Sequence, residues 1–415
     1  MFDFVSHLRK RGFVVEYALL GPDPGGDALW YVIPLAIRRA VTLSVPGRRR
    51  IGSLLVPCSF ASKLARAGLR RAWGIARRFL PTRFRQQLRK TLPGPVSTGV
   101  ECASDREPLF FDSVVTGNER LSVRMRVADF KPDVVIADYS WLANIFDDLP
   151  SDSRILKTVF VHDLRFRVVP NLKQAGIRPA HHPEWTWEKE AELLRKATIL
   201  LTLQDEDAAL LRKMSPESSV IRISVSTQIY VHNAAEQIRS RCLYVASDAE
   251  ENAKALLWLL REIWPTVLRS RPDANLHVCG TVCRLIDEQF PRTRFLGRVE
   301  EIGLEYGAAE VCLVPHIIHG GIKLKLVEAL SHGRAVVSSP CGLDGLPEAA
   351  GRAALVAETP LQFAEAILRV LGDPFQRRRM EEGAQMLAKK RLSTDAAYGT
   401  FVEKINILIS QSRIE

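Results

Sequence analysis

The sequence predicts an α/β fold with two doubly wound domains, and three observations carry that reading. Short β-branched runs alternate with helix-length amphipathic patterns along most of the chain, as parallel strands joined by crossover helices require. The alternation is broken at residues 226–240 by a polar stretch without strong periodicity. The length of 415 residues exceeds what one hydrophobic core usually serves, so about two or three domains are expected. The division that follows is a first domain over 1–225, a linker over 226–240, a second domain over 241–394, and a terminal helix in 395–415.

Taken in order, the chain opens with an amphipathic helix at 2–10, stopped by Gly12, and a β-branched strand at 14–20. A doubly wound domain normally opens with a strand, which becomes central in the sheet. Either another segment fills that slot or the natural chain starts earlier, and the second is the reading preferred. Strands at 41–45, 133–137, 156–161, 199–203 and 220–224 follow, with helices at 184–196 and 205–214. The second domain reads as strands at 242–245, 275–279, 310–314 and 335–338, interleaved with helices at 250–269 and 321–332. A last periodic pattern at 395–408 closes the chain.

Hydrophobic residues make up 47% of the chain and charged residues 25%, which excludes global disorder. Seven scattered cysteines without a CxxC pair argue against a disulfide framework or a structural zinc site. The first twenty residues lack the order of a secretory signal, and no apolar run reaches the roughly 18 residues of a membrane span. A reducing cytoplasm is therefore the expected compartment.

The formal charge of +11 has a local source. Residues 36–90 hold fifteen Lys or Arg and no Asp or Glu. Within 59–80, Ala65, Leu69, Ala72, Trp73, Ala76 and Leu80 fall on one helical face, and Lys63, Arg66, Arg70 and Arg77 on another. That composition suits a helix lying on an anionic membrane surface. A solvated insertion is the plainer reading. Nucleic acid is not expected as a partner, because no binding module accompanies the charge.

The stretch EVCLVPHIIHGGIKLKLVEALSHGRAVVSSPCGLDG, residues 310–345, carries the chemistry. A buried strand leads into a loop and then a helix expected from Gly321 to Gly333. Ligands of open α/β sheets bind at such carboxyl ends. Gly320 and Gly321 allow a diphosphate to approach the backbone, where a helix N-terminus offers free N–H groups. Lys323 and Lys325 add charge. Glu328, three residues from Lys325 and on its helix face, is placed to accept hydrogen bonds from ribose hydroxyls, while Leu324, Val327, Ala329 and Leu330 are expected to face the core. A surface Lys–Glu pair on an ordinary capped helix is the alternative. No GxxxxGK[ST] is present, which excludes a P-loop.

This stretch resembles the donor-binding motif of glycosyltransferase family 4, whose GT-B fold sets two Rossmann-like doubly wound domains about a central cleft. The segments RCLYVASDAEENAKALLWLLREIWPTVLRSRPDANLHVCG and RFLGRVEEIGLEYGAAEVCLVP are similar to what precedes the motif in that family. Upstream, VVIADYSWLANIFDDLP, VFVHDLRFRV and EKEAELLRKATILLTLQDEDAALL resemble one bacterial branch with a glycine-rich donor loop. The likeness runs from about residue 131 to residue 392. It implies a retaining, metal-independent glycosyltransferase with a nucleotide diphosphate-sugar as donor, no cofactor, and a glycan or lipid-linked acceptor. It implies that Glu328 grips the ribose, that Arg298 and Val299 lie beside the base, and that His162 contacts the donor sugar. Asp163 would orient that sugar or meet the acceptor, with Arg167 a weaker candidate. Lys325 and Lys323 would neutralise the departing diphosphate.

One departure matters. The family's first glutamate of the Glu-x7-Glu element would fall at position 320, which is glycine. That removes one candidate catalytic carboxylate and the support for a covalent route. A GT-B sugar-nucleotide epimerase, or a silent scaffold subunit, are the rival readings. His316 and His319 have HxxH spacing and His181–His182 are adjacent, but no third metal ligand repeats a known spacing. Asp205, Glu206 and Asp207 spell DxD at the start of a helix, where acids favour the helix dipole.

Overall fold

The computed structural model describes residues 2–18, 31–32, 42–44, 48–51, 54–57, 115–149, 154–177 and 185–412. Its strands, in chain order, are β1 Glu16–Ala18, β2 Tyr31–Val32, β3 Thr42–Ser44, β4 Arg48–Ile51, β5 Leu54–Pro57, β6 Val134–Asp138, β7 Leu156–Val161, β8 Ile199–Thr202, β9 Ser219–Arg222, β10 Arg241–Val245, β11 Asn275–Cys279, β12 Thr293–Gly297, β13 Val311–Val314, β14 Val336–Ser338 and β15 Ala354–Val356.

Strands β6, β7, β8 and β9 form a parallel sheet in that order. Successive side chains leave a strand on opposite faces, and β7 and β8 sort accordingly. Val159, Val161 and Leu200 join a core with Ala191, Leu194, Leu211 and Met214, from the helices Trp187–Leu194 and Asp205–Met214. Phe160, Ile199 and Leu201 face the other way. They meet Phe4 and Leu8 of the opening helix Phe2–Lys10, and Tyr398, Phe401 and Ile405 of the final helix Thr394–Ser412. The last helix thus returns to the first domain.

Among the described residues no strand pairs with the free side of β6, and its Val134, Val135 and Ile136 stay partly exposed. β1 and β3 instead pair with each other in parallel. β2, β5 and β4 make an antiparallel sheet that alternation did not predict, since β4 reads RRRI. The proposed lipid-binding helix at 59–80 and the pair His181–His182 lie outside the described residues.

The second sheet is parallel, in the order β12-β11-β10-β13-β14-β15. The chain winds outward from β10 in one direction and from β13 in the other. The loops leaving these two strands therefore flank a crevice at the topological switch point. The helix expected at 250–269 is divided into Glu250–Trp258, a π turn Leu259–Ile263, and Trp264–Ser270. Pro265, lacking an N–H, sits at the start of the last piece, where the i−4 bond is dispensable. No helix among the described residues is long and apolar enough to cross a membrane.

Candidate active site

The donor-loop helix runs Leu324–Ser331, three residues later than the sequence suggested, with Lys323 at its N-cap. The reason is backbone geometry: Gly320 has φ +125° and Gly321 φ +67°, neither compatible with a right-handed helix. Gly333, at φ +62°, terminates it as expected. The buried face is Leu326, Val327, Ala329 and Leu330, while Leu324 is 60% exposed. Leu326, and not Leu324, completes the core stripe.

Both glycines stand where the first domain reaches across. A Cβ on Gly320 would lie 2.6 Å from Val168 Cγ2, and one on Gly321 would lie 3.6 Å from Asp163 Oδ2. The helix Arg165–Gln174 continues the contact. Asn171 Nδ2 donates to the His319 carbonyl at 3.1 Å. Val168, Leu172, Ala175 and Ile177 pack on Ile318. Lys254 Nζ donates to the carbonyls of Ala175 at 3.1 Å and Gly176 at 2.7 Å. This edge of the cleft is closed.

Lys323 and Lys325 lie together below that contact but diverge in their partners. Lys323 is 7% exposed; its Nζ donates to the Gly320 carbonyl and lies 3.7 Å from Asp344 Oδ2. Lys325 Nζ donates to Asn252 Oδ1 at 2.7 Å and sits 5.0 Å from the centre of the Tyr244 ring. Burial lowers the pKa of both lysines, and Lys323 pushes Lys325 further down, to about 8. Two desolvated ammoniums side by side form a site that an anion would stabilise. Glu328 does not pair with Lys325. It accepts from Tyr306 Oη at 2.8 Å, and burial raises its pKa.

Asp344, in the loop after β14, was not singled out from sequence. Its carboxylate accepts from the Gly320 N–H at 2.8 Å and meets His319 Nδ1 at 3.1 Å. A carboxylate thus enters the donor loop although position 320 has none. His316 is buried beside the lysines, and desolvation with their charge holds it neutral, its pKa lowered to about 2. No hydrogen-bond partner meets its Nδ1.

From the first domain, β7 delivers His162 and Asp163 to the cleft. His162 Nε2 is 2.6 Å from Asp138 Oδ1, at the end of the adjacent strand β6. If Nε2 donates there, the neutral ring keeps Nδ1 as an acceptor. The ring packs between Phe160 and Tyr139, with centroids 4.0 and 4.4 Å away. Tyr139 holds φ +95°, a conformation costly for a non-glycine residue, and stacks on Trp141. Arg165 lies over Trp141 and meets Asp163 at 3.0 Å.

Glu190 secures this loop from behind. The helix Arg165–Gln174 has no side-chain cap of its own at Leu164. Glu190 accepts from the backbone N–H groups of Arg165 and Phe166 and from Ser140 Oγ, at 3.2, 3.0 and 2.8 Å. Burial raises its pKa to about 7. Arg167 is held by Asp207 at 2.9 Å, and Asp205 by Arg222 at 3.1 Å. The DxD run is therefore a helix start bound up in ion pairs, as the plainer reading expected.

Arg298 and Val299 follow Gly297, φ +65°, at the carboxyl end of β12. Arg298 is exposed, and Val299 packs partly against the core around Tyr306. Asp163, Gly320, Gly321 and Lys323 are brought together across the cleft, with Lys325 and Glu328 along the same helix, while His162 is held by Asp138, Phe160 and Tyr139 at the end of β7. Among the described residues no group of three or more His, Cys, Asp or Glu is arranged to hold a metal ion.

Residues 239–373 match the family described as glycosyl transferases group 1. A Klebsiella pneumoniae protein, an uncharacterized 44.6 kDa protein in the cps region, is 25% identical over 128 residues, which cover 28% of this chain. The match spans 33% of that relative's length. Among solved structures, sucrose-phosphate synthase from Thermosynechococcus elongatus superposes with a TM-score of 0.58 at 18% identity, over 71% of this chain and 78% of that one. TarM of S. aureus gives 0.56 at 12% identity, over 70% and 59%. HepE of Anabaena, solved with UDP, gives 0.54 at 13% identity, over 69% and 81%. The chain has the GT-B fold, and residues 239–373 of its second domain match the glycosyl transferases group 1 model.

Proposed function

We propose that this chain is a retaining, metal-independent glycosyltransferase of family 4. It moves a sugar from a nucleotide diphosphate-sugar to a lipid-linked or polysaccharide acceptor, in cell-surface glycan synthesis on the cytoplasmic face of a membrane. One observation carries the reading. Two desolvated lysines lie at a glycine-bearing helix start that Asp163 reaches from the first domain, its Oδ2 only 3.6 Å from the position of a Cβ on Gly321. The UDP bound in HepE and in the pneumococcal O-GlcNAc transferase GtfA supports a nucleoside diphosphate here.

In this mechanism the diphosphate lies against the Gly320–Gly321 backbone and the lysine ammoniums. Glu328 takes the ribose hydroxyls, and the turn at Arg298 and Val299 borders the base. His162, fixed by Asp138, bonds a hydroxyl of the donor sugar, and Asp163 orients the sugar or the acceptor. As the anomeric C–O bond breaks, negative charge grows on the leaving phosphate oxygen. Lys323 and Lys325 are already in place to stabilise it, so little reorganisation is needed. With no carboxylate at position 320, no covalent glycosyl-enzyme is invoked. The acceptor adds to the face the diphosphate leaves, and its proton passes to the departing phosphate.

The test begins with thermal unfolding in UDP, GDP, dTDP and CMP. A ligand at about 100 times its Kd adds about 2.7 kcal/mol of stability. The matching donor sugar is then incubated with and without acceptor, in EDTA. Transfer with retained anomeric configuration supports the proposal. Isomerised donor without acceptor would identify an epimerase, and binding without turnover a silent subunit.

A further inference from the structure

The segment joining the two domains is built into the back of the ribose end of the site. Tyr230, on that segment, stacks on His332 with ring centroids 4.1 Å apart and planes 4° from parallel. His332 stacks in turn on Tyr306, at 4.5 Å and 8°. Tyr306 is 1% exposed and donates its hydroxyl to Glu328 Oε2 at 2.8 Å. The chain of contacts runs from linker to carboxylate without a break.

Three further contacts fix the register. The Tyr230 N–H donates to the Ser331 carbonyl at 2.8 Å, at the end of the donor-loop helix. His232 Nε2 and His332 Nδ1 share a hydrogen bond of 2.7 Å. A Cβ on Gly307 would stand 2.9 Å from His232 Nδ1, so the His232 ring packs directly against the bare backbone at that position.

A glutamate has three rotatable bonds, and a carboxylate that accepts from two ribose hydroxyls must hold one orientation. Tyr306 fixes one of its oxygens. We infer that Tyr306 is the positioning residue that presents Glu328 to a ribose, and that the ring stack through His332 to Tyr230 lets the interdomain linker set its pose. This rests on the reading of Glu328 as the ribose ligand. Its consequence is that the joint between the domains tunes recognition of the sugar of the nucleotide.

The experiment is calorimetric binding of UDP and GDP and of their 2′,3′-dideoxy counterparts. It compares the full chain with Tyr306→Phe, Tyr230→Ala and Tyr230→Phe. The full chain should prefer the ribonucleotide. In Tyr306→Phe that preference should shrink about tenfold, the scale of one hydrogen bond to a charged group, with affinity for the dideoxy compound unchanged. Tyr230→Ala should lose part of the preference and Tyr230→Phe, which keeps the ring, should restore it. An unchanged preference in Tyr306→Phe, or an equal loss of both ligands, would overturn the proposal while leaving Glu328 as ribose ligand. If the full chain binds both compounds alike, the ribose reading of Glu328 falls and takes this inference with it.

Discussion

Asp138 and His162 close a 2.6 Å hydrogen bond between the carboxyl ends of two neighbouring strands. Parallel pairing sets Asp138 opposite Phe160, so the residue two positions on comes within its reach. An Asp138→Asn substitution keeps the size and removes the charge that orients the ring. Turnover should fall about 10- to 100-fold, the worth of a hydrogen bond to a charged group, with nucleotide affinity unchanged. Steady-state kinetics beside calorimetry checks this split.

Gly320 and Val168 make a second testable pair. Gly320→Ala demands both a left-handed backbone and space that Val168 Cγ2 occupies 2.6 Å away. The variant should lose about 1–3 kcal/mol in thermal unfolding. Adding Val168→Ala should restore only the steric part, which a double-mutant cycle isolates.

Lys325 links the site to pH. Its folded pKa is lowered to about 8 from an ordinary 10.5, chiefly by burial. Between those values the unfolded chain binds more protons, so stability without ligand should rise with pH across that window. A bound diphosphate favours the ammonium, so its stabilising effect should fade as pH climbs past about 8. Thermal shifts with UDP from pH 7 to 9.5 test both slopes. Lys325→Met should abolish the dependence.

Glu190 has the opposite sign. Its folded pKa, raised to about 7 from 4.5 by burial, means the folded chain keeps a proton the unfolded chain has lost. Its contribution is greatest below pH 4.5 and declines as pH rises to about 7. Glu190→Gln should flatten that segment of the stability profile, read from urea midpoints at pH 5, 6 and 7.

The basic span at 36–90 predicts binding to vesicles carrying anionic lipid and release as salt rises. Equal flotation with neutral vesicles would contradict it.

Much of the fold was legible because parallel strands buried on both faces are written as short β-branched runs. β15, only three residues long, and the charged β4 carry no such signal. In the site, Gly320, Gly321, Lys323, Lys325 and Glu328 share one contiguous stretch and could be named together. Asp138, Asn252 and Tyr306 could not, because each lies on a different element and sheet order brings it to the site; Asp344 stands in the same stretch, but nothing in its spacing ties it to the glycines. One signal was available: Asp138 ends its strand as Val161 ends the next, and carboxyl ends of parallel neighbours share an edge. The start of the donor helix was misread because the glycines there serve positive φ, not helical turns.

The two crossings between domains travel side by side. Ser224 N–H donates to the Ala397 carbonyl at 3.2 Å, Ser226 N–H to Tyr398 Oη at 3.3 Å, and Thr227 N–H to the Leu392 carbonyl at 2.9 Å. A single tether would let one domain swivel about every axis of the other. Two bonded strands of chain act as a pair of pins, leaving one rotation free and resisting twist and sideways slip. Any rotation of one domain against the other would then follow one fixed arc, with the register between Asp163 and the glycines of the donor loop kept from slipping sideways.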